Sequence, residues 1–127
     1  MEINIKEGIE NQLSKIVKDA DSAATHGSGL LPVFATPAMV AFMEQTAHCS
    51  VGDFLPEGCT TVGIEINVKH IKATPLGMTV NCQSKLTKVD GKRLYFDIKA
   101  YDEVGQIGEA THVRYIVDSQ KFMDKLK

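Results

Sequence analysis

Thr36-Pro37-Ala38-Met39-Val40-Ala41-Phe42-Met43-Glu44-Gln45-Thr46-Ala47-His48-Cys49 is the stretch on which the fold of this chain turns. It reads as a helix that is apolar on every side for its first two turns, and such a helix belongs inside a core. Thr36 is placed to act as N-cap, with Pro37 at the first helical position, where its missing N–H costs nothing. The helix is expected to end near Val51-Gly52, with Gly52 as a left-handed C-cap. Glu44 is the anomaly. No Lys or Arg occurs between Lys18 and Lys69. A carboxylate entering a core without a nearby cation shifts its pKa upward, and such groups concentrate at functional sites.

Working outward, residues 8–17 form a weakly patterned first strand, followed by a long connection, 18–35, that contains His26-Gly27-Ser28-Gly29. Connections of this length without regular structure are often functional. Beyond the helix and a turn at Leu55-Pro56-Glu57-Gly58, period-two alternation takes over. Val62, Ile64, Ile66 and Val68 share one face, and the same period puts His70 on it. A turn at Thr74–Gly77 leads to a strand whose inner face carries Met78, Val80, Cys82 and Leu86. Asp90-Gly91 signals a hairpin. A three-residue loop, Val89–Gly91, pairs Leu86 with Leu94 and Cys82 with Ile98, and so keeps the apolar faces in phase. Leu94, Phe96, Ile98 and Ala100 line the next strand. Asp102–Gly105 turns into a last strand, 106–117, whose inward face the pattern leaves open. Residues 119–127 suit a short amphipathic helix. The sum is one strand, a long loop, one buried helix and four antiparallel strands as a meander. A sheet with one apolar face curling around an all-apolar helix is the economical packing. That is an α+β, hotdog architecture.

Composition sets the outer bounds. The chain has 127 residues, 43% of them apolar and 24% charged, which suits one soluble globular domain spanning 1–127. No apolar run is long enough to span a bilayer. Met1–Lys6 lacks a basic region followed by an apolar one, so no signal peptide is expected. Cys49, Cys59 and Cys82 have no C-x-x-C spacing, which points to reduced thiols and a cytoplasmic protein. Residues 1–68 carry three bases and nine acids (−6), and residues 69–127 carry eleven bases and seven acids (+4). A basic half suits a small polyanion such as a phosphorylated cofactor. Nothing suggests nucleic acid. His26, His48 and His112 show no metal-ligand spacing, so no metal is expected.

Several segments resemble the hotdog thioesterases typified by fluoroacetyl-CoA thioesterase. They are Val33–Glu44, Thr60–Gly63, Val68–Pro75, Val89–Leu94 and Gly108–Arg114, in one register over roughly residues 30–122. The resemblance implies a catalytic set of Thr36 at the helix entry, Glu44 on the helix and His70 on the following strand. It places Gly63 near the thioester carbonyl, Leu30 and Phe34 at the helix entry beside the substrate, and Arg114 on the last strand. It also implies a homodimer with sites at the subunit interface, and leaves dimer against tetramer open. The substrate would be an acyl-CoA, with coenzyme A as part of the substrate and no separate cofactor. Members specialised for fluoroacetyl-CoA carry an aromatic gate six residues before the catalytic threonine, where this chain has Leu30. That departure points to a plain short-acyl-CoA thioesterase.

Thioester hydrolysis needs an activated water or a nucleophile, a polarised carbonyl and a proton donor. Glu44 would be the base or nucleophile, and His70 would orient it and shuttle the proton. The ordinary alternatives are a Glu44–His48 pair at i+4, a hydrogen-bonded core His70, a Thr36 that only caps the helix, a Gly63 that only bulges its strand and a surface Arg114. Two other functions share the fold. A non-catalytic acyl-CoA-binding module would bind without turnover, and a hydratase or dehydratase would show an Asp/His pair that is not seen.

Overall fold

The computed structural model describes residues 2–127. In chain order its elements are β1 (Glu10–Ile16), α1 (Ala23–His26), α2 (Thr36–Val51), β2 (Cys59–His70), β3 (Thr79–Asp90), β4 (Arg93–Tyr101), β5 (Gln106–Asp118) and α3 (Ser119–Asp124). One antiparallel sheet runs in the order β1-β3-β4-β5-β2 and curls around α2. This is the hotdog arrangement. Only β3, β4 and β5 form a meander. β2 pairs with β5, not β3, so the expected four-strand meander is corrected: the chain crosses the sheet between β2 and β3. The 18–35 connection is also more ordered than expected. It holds a 3-10 turn (Asp19–Asp21) and α1, which is capped by the Ser22 side chain on the Thr25 N–H.

Alternation is regular on β3 and β4, where Val80, Cys82, Leu86, Leu94, Phe96, Ile98 and Ala100 are all buried. Onto them α2 lays Ala38, Met39, Phe42, Met43, Ala47 and Val51. Each large side chain fully buried there stabilises the fold by roughly 1.5–3 kcal/mol. The helix is not buried all round. Ala41, Gln45 and His48 are exposed, and Val40 and Glu44 are half-buried. The helix therefore has one packed side and one bare side. It also runs on past Val51 into a second 3-10 turn, Gly52–Phe54. Gly52 is right-handed (φ −52°, ψ −44°), not the left-handed cap its residue type suggested.

Two registers differ from expectation, each because of an extra residue. Asp90 pairs with Arg93, which leaves a two-residue Gly91-Lys92 loop. Gly91 has φ 60° and no described non-glycine residue has positive φ, which fits a type II′ turn and excludes I′. Leu86 pairs with Phe96 and Cys82 with Ala100, and a bulge at Thr87 restores the phase that a longer loop would have supplied. In β2 a bulge at Ile64 shifts the pairing from Gly63↔Arg114 to Glu65↔Val113. Thr61 and Gly63 face inward before it, and Ile66, Val68 and His70 after it. Val62 is therefore on the outer face, and the continuous alternation read from the sequence is broken. On β5 the inward residues are Gly108, Ala110, His112, Arg114 and Ile116, which resolves the face left open above.

Candidate active site

The entry to α2 is built differently from a capped helix. Ala35 is the N-cap (φ −72°, ψ 143°), and no side chain caps the helix. Thr36 is already helical. Its Oγ1 is free of the backbone and shares a 2.8 Å hydrogen bond with His70 Nδ1. The capping role expected of Thr36 is thus corrected, and its hydroxyl is available for chemistry. His70 closes β2 opposite Gly108. Its ring stands edge-on to Phe34, with centroids 6.5 Å apart. Nε2 of His70 is buried with no hydrogen-bond partner among the described residues. Burial lowers the His70 pKa, against a smaller upward pull from the Lys72 backbone, so the ring is held neutral. Thr36, His70, Phe34, Val33, Ile71 and Lys72 line a recess of ≈ 320 Å³. A larger hollow lies across the outer face of the sheet, walled by Gln83, Lys85, Asp97 and Lys99. It is a groove between solvated strand residues and includes none of the candidate residues.

A second polar cluster surrounds Glu44. The Glu44 side chain is 39% exposed, and its Oε1 lies 3.8 Å from Arg114 Nη1. The expectation of a carboxylate buried without a cation is therefore corrected twice. The carboxylate reaches the bare side of the helix, and a cation arrives from β5, seventy residues along the chain. Arg114 is itself buried. Its Nε donates to Thr61 Oγ1 (2.7 Å) and its Nη2 to the Thr61 carbonyl (3.0 Å), which excludes the reading of a surface arginine. Burial lowers its pKa while Glu44 raises it, and a guanidinium stays charged throughout. Gly63 lies against this group. A Cβ there would sit 2.7 Å from Glu44 Oε1, 3.2 Å from His112 Cε1 and 3.3 Å from Arg114 Nη1. The glycine serves both readings made of it: it adjoins a bulge, and it permits close approach.

Leu30 is 93% exposed and is not among the residues that line the Thr36–His70 recess. Phe34 is fully buried and backs His70. Ion-pair contacts of Glu44 run to Arg114 and His112, not to His48. Cys82 is buried and its thiol is pushed up to about 11 by burial, against a smaller opposing pull from Thr46, so it is no nucleophile. Among the described residues no group of three or more His, Cys, Asp and Glu is placed to hold a metal. Sequence reasoning missed Thr61 and His112. The signal was present in part: His112 and Arg114 sit at i and i+2, so a strand must turn both to the same face.

A family model described as fluoroacetyl-CoA-specific thioesterase matches residues 17–120. The chain belongs to this family. It is 38% identical over 95 residues to the fluoroacetyl-CoA thioesterase of Streptantibioticus cattleyicolor, spanning 75% of this chain and 68% of that protein. A crystal structure of a mutant of the fluoroacetyl-CoA-specific thioesterase FlK superposes with a TM-score of 0.91 at 29% identity, covering 98% of this chain and 97% of that one. A thioesterase superfamily member from Thermus thermophilus gives 0.88 at 28% identity, covering 97% and 91%. The family member described here is thus a thioester hydrolase of hotdog fold. Among the described residues no helix is long and apolar enough to cross a membrane.

Proposed function

We propose that this protein hydrolyses short-chain acyl-CoA thioesters, with Thr36, His70 and Glu44 as its catalytic residues. The observation that carries the reading is the Thr36–His70 bond, which ties the threonine hydroxyl to a neutral, half-buried imidazole beside the recess and leaves its buried Nε2 without a partner among the described residues. Water is added across the C–S bond. Glu44 takes a proton from the water as that water attacks, or attacks the carbonyl carbon itself to give an acyl–Glu44 anhydride that water then cleaves to the free acid. The tetrahedral oxyanion is met by the Gly63 backbone or the Arg114 edge. The departing thiolate of CoA takes its proton by way of Thr36 and His70. All proton donors and acceptors are side chains, so the reading calls on no resident cofactor. Leu30, in place of an aromatic gate, favours a plain small acyl group over a fluorinated one.

The site is shared between two copies. Thr36 and Glu44 are eight residues apart on one straight helix, roughly 12 Å along its axis. One chain cannot bring both to one carbonyl. Two copies packed through the bare side of α2 can, with Glu44 of one facing Thr36 and His70 of the other. This is tested by thiol release from acyl-CoAs ranging from acetyl to octanoyl, with fluoroacetyl included. Thr36→Ala and Glu44→Gln are each expected to be inactive. Mixed and reassembled, they regain about a quarter of wild-type turnover, because half the dimers are then mixed and each carries one intact site. No recovery on mixing would place the whole site in one chain. Binding without any release would favour a non-catalytic module.

A further inference from the structure

His112 takes no part in the chemistry above, yet it is 1% exposed and sits inside the Glu44 cluster. Its Nδ1 lies 2.8 Å from the backbone carbonyl of Glu65, the residue just after the β2 bulge. A carbonyl only accepts, so Nδ1 carries the proton and donates. Nε2 then holds a lone pair, and it lies 3.1 Å from Arg114 Nη1, which donates to it. Thr61 takes two further N–H groups of the same guanidinium. Three of its five donors are therefore fixed by protein acceptors, and Nη1 has one N–H left on the Glu44 side.

We propose that His112 is a positioning residue of the thioesterase site, a fixed neutral acceptor that aims the Arg114 guanidinium at Glu44 over the gap left by Gly63. This rests on the thioesterase reading of Glu44. It needs Nε2 unprotonated. A second ring proton would oppose the Arg114 N–H, free the guanidinium and offer Glu44, 4.0 Å away, a competing cation. The charged groups facing the ring are Glu44 from α2 and Arg114 from its own strand. β4 presents the Phe96 ring, and β2 the Glu65 carbonyl, Gly63 and Ile66, none of them charged. Burial lowers the His112 pKa, the Glu65 bond opposes this, the Arg114 charge lowers it again and Glu44 raises it. The net direction is down, so the working form prevails at neutral pH and is lost only as the solution turns acid.

The test compares wild type, His112→Ala, His112→Gln and Glu44→Gln in thiol-release kinetics across pH, using the acyl-CoA of the panel that wild type cleaves fastest. His112→Ala is expected to lower kcat about tenfold or more, the scale of a displaced catalytic group, and to leave KM within a few-fold. His112→Gln, which keeps a neutral acceptor that does not titrate, recovers much of that loss and drops the acid-side limb that belongs to His112. A folded His112→Ala with wild-type kcat overturns the proposal. Should His112→Ala fail to fold, an acid limb in His112→Gln that superposes on wild type overturns it instead. Nitrogen-15 NMR of the wild-type histidine rings is independent of turnover. It is expected to show Nδ1 protonated and Nε2 bare on His112, and the opposite tautomer overturns the proposal even if Glu44→Gln stays fully active and the catalytic reading of Glu44 falls.

Discussion

Gly63 is a place where one missing carbon has a definite chemical consequence. Its neighbours on three sides are the polar ends of Glu44, His112 and Arg114, and the nearest would be only 2.7 Å from an added Cβ. Glu44 is the flexible one and is half-exposed, so it would yield. Gly63→Ala is therefore expected to fold, with a lowered melting temperature, because the fixed His112 and Arg114 groups, 3.2 and 3.3 Å from the new Cβ, must also give way against the smaller gain from the lower unfolded-state entropy of alanine. It should lower kcat about tenfold or more by moving the carboxylate. Thermal melts run beside thiol-release kinetics check both halves, and unchanged turnover would mean that Glu44 does not work from this position. At this scale the sequence was informative about which residues are unusual and less so about their partners. Glu44 stood out because its own segment has no cation. The cation is Arg114, and only the pairing of β2 with β5 brings it there. Thr36 has the residue type and position of an N-cap, and nothing local says that the helix begins one residue earlier, on Ala35.

Among the elements, the turn between β4 and β5 is tied to the segment that follows His70. Asp102 accepts hydrogen bonds from Lys72 Nζ (2.8 Å), Thr74 Oγ1 (2.9 Å) and the N–H groups of Val104 and Gly105. Burial alone would raise its pKa, but these partners outweigh burial and hold it to about 2. The unfolded carboxyl titrates near 4. The folded pKa is the lower one, so the contribution to stability is complete above about pH 4 and disappears as pH falls from about 4 to 2. It is on the order of 2 kcal/mol. Asp102→Asn is expected to lower the melting temperature by several degrees at neutral pH and to make little difference near pH 2, as read by thermal melts over that range. An equal loss at both ends would mean that the carboxylate charge contributes nothing. Strand positions were legible from alternation because β3 and β4 bury one clean face. Registers were not. The Thr87 and Ile64 bulges each insert a residue whose only signal is the partner strand, and a pattern of period two reads straight through them.

Taken whole, the molecule leaves two surfaces that a chain on its own would be expected to cover. One is the side of α2 carrying Ala41, Gln45 and His48. The other is the outer edge of β2, the last strand in the sheet order, with unpaired backbone groups open to association. The sequence suggested a helix wrapped on all sides, and one chain supplies only half of that wrapping. A bulky charge at the centre of the bare side, Ala41→Arg, is expected to yield a folded monomer that does not turn over acyl-CoA. Light scattering and circular dichroism would check it. A dimeric, active Ala41→Arg would move the shared site elsewhere.

The bulge at Ile64 also governs how β2 tolerates changes in length. It splices two rulers whose marks are offset by one: the first sets Thr61 and Gly63 against Arg114, and the second turns Ile66 and Val68 to the core and His70 to Thr36 at the helix entry. A substitution at 64 leaves both rulers in place. Deleting that single residue removes the offset: Gly63 then precedes Glu65, whose partners Arg114 and Val113 are already neighbours, and Thr61, Gly63, Ile66, Val68 and His70 all stay inward on one unbroken scale. The extra residue is slack in the ladder. Position 64 is therefore a place where this strand can lose a residue and still keep the guanidinium on its threonine and the imidazole on its hydroxyl.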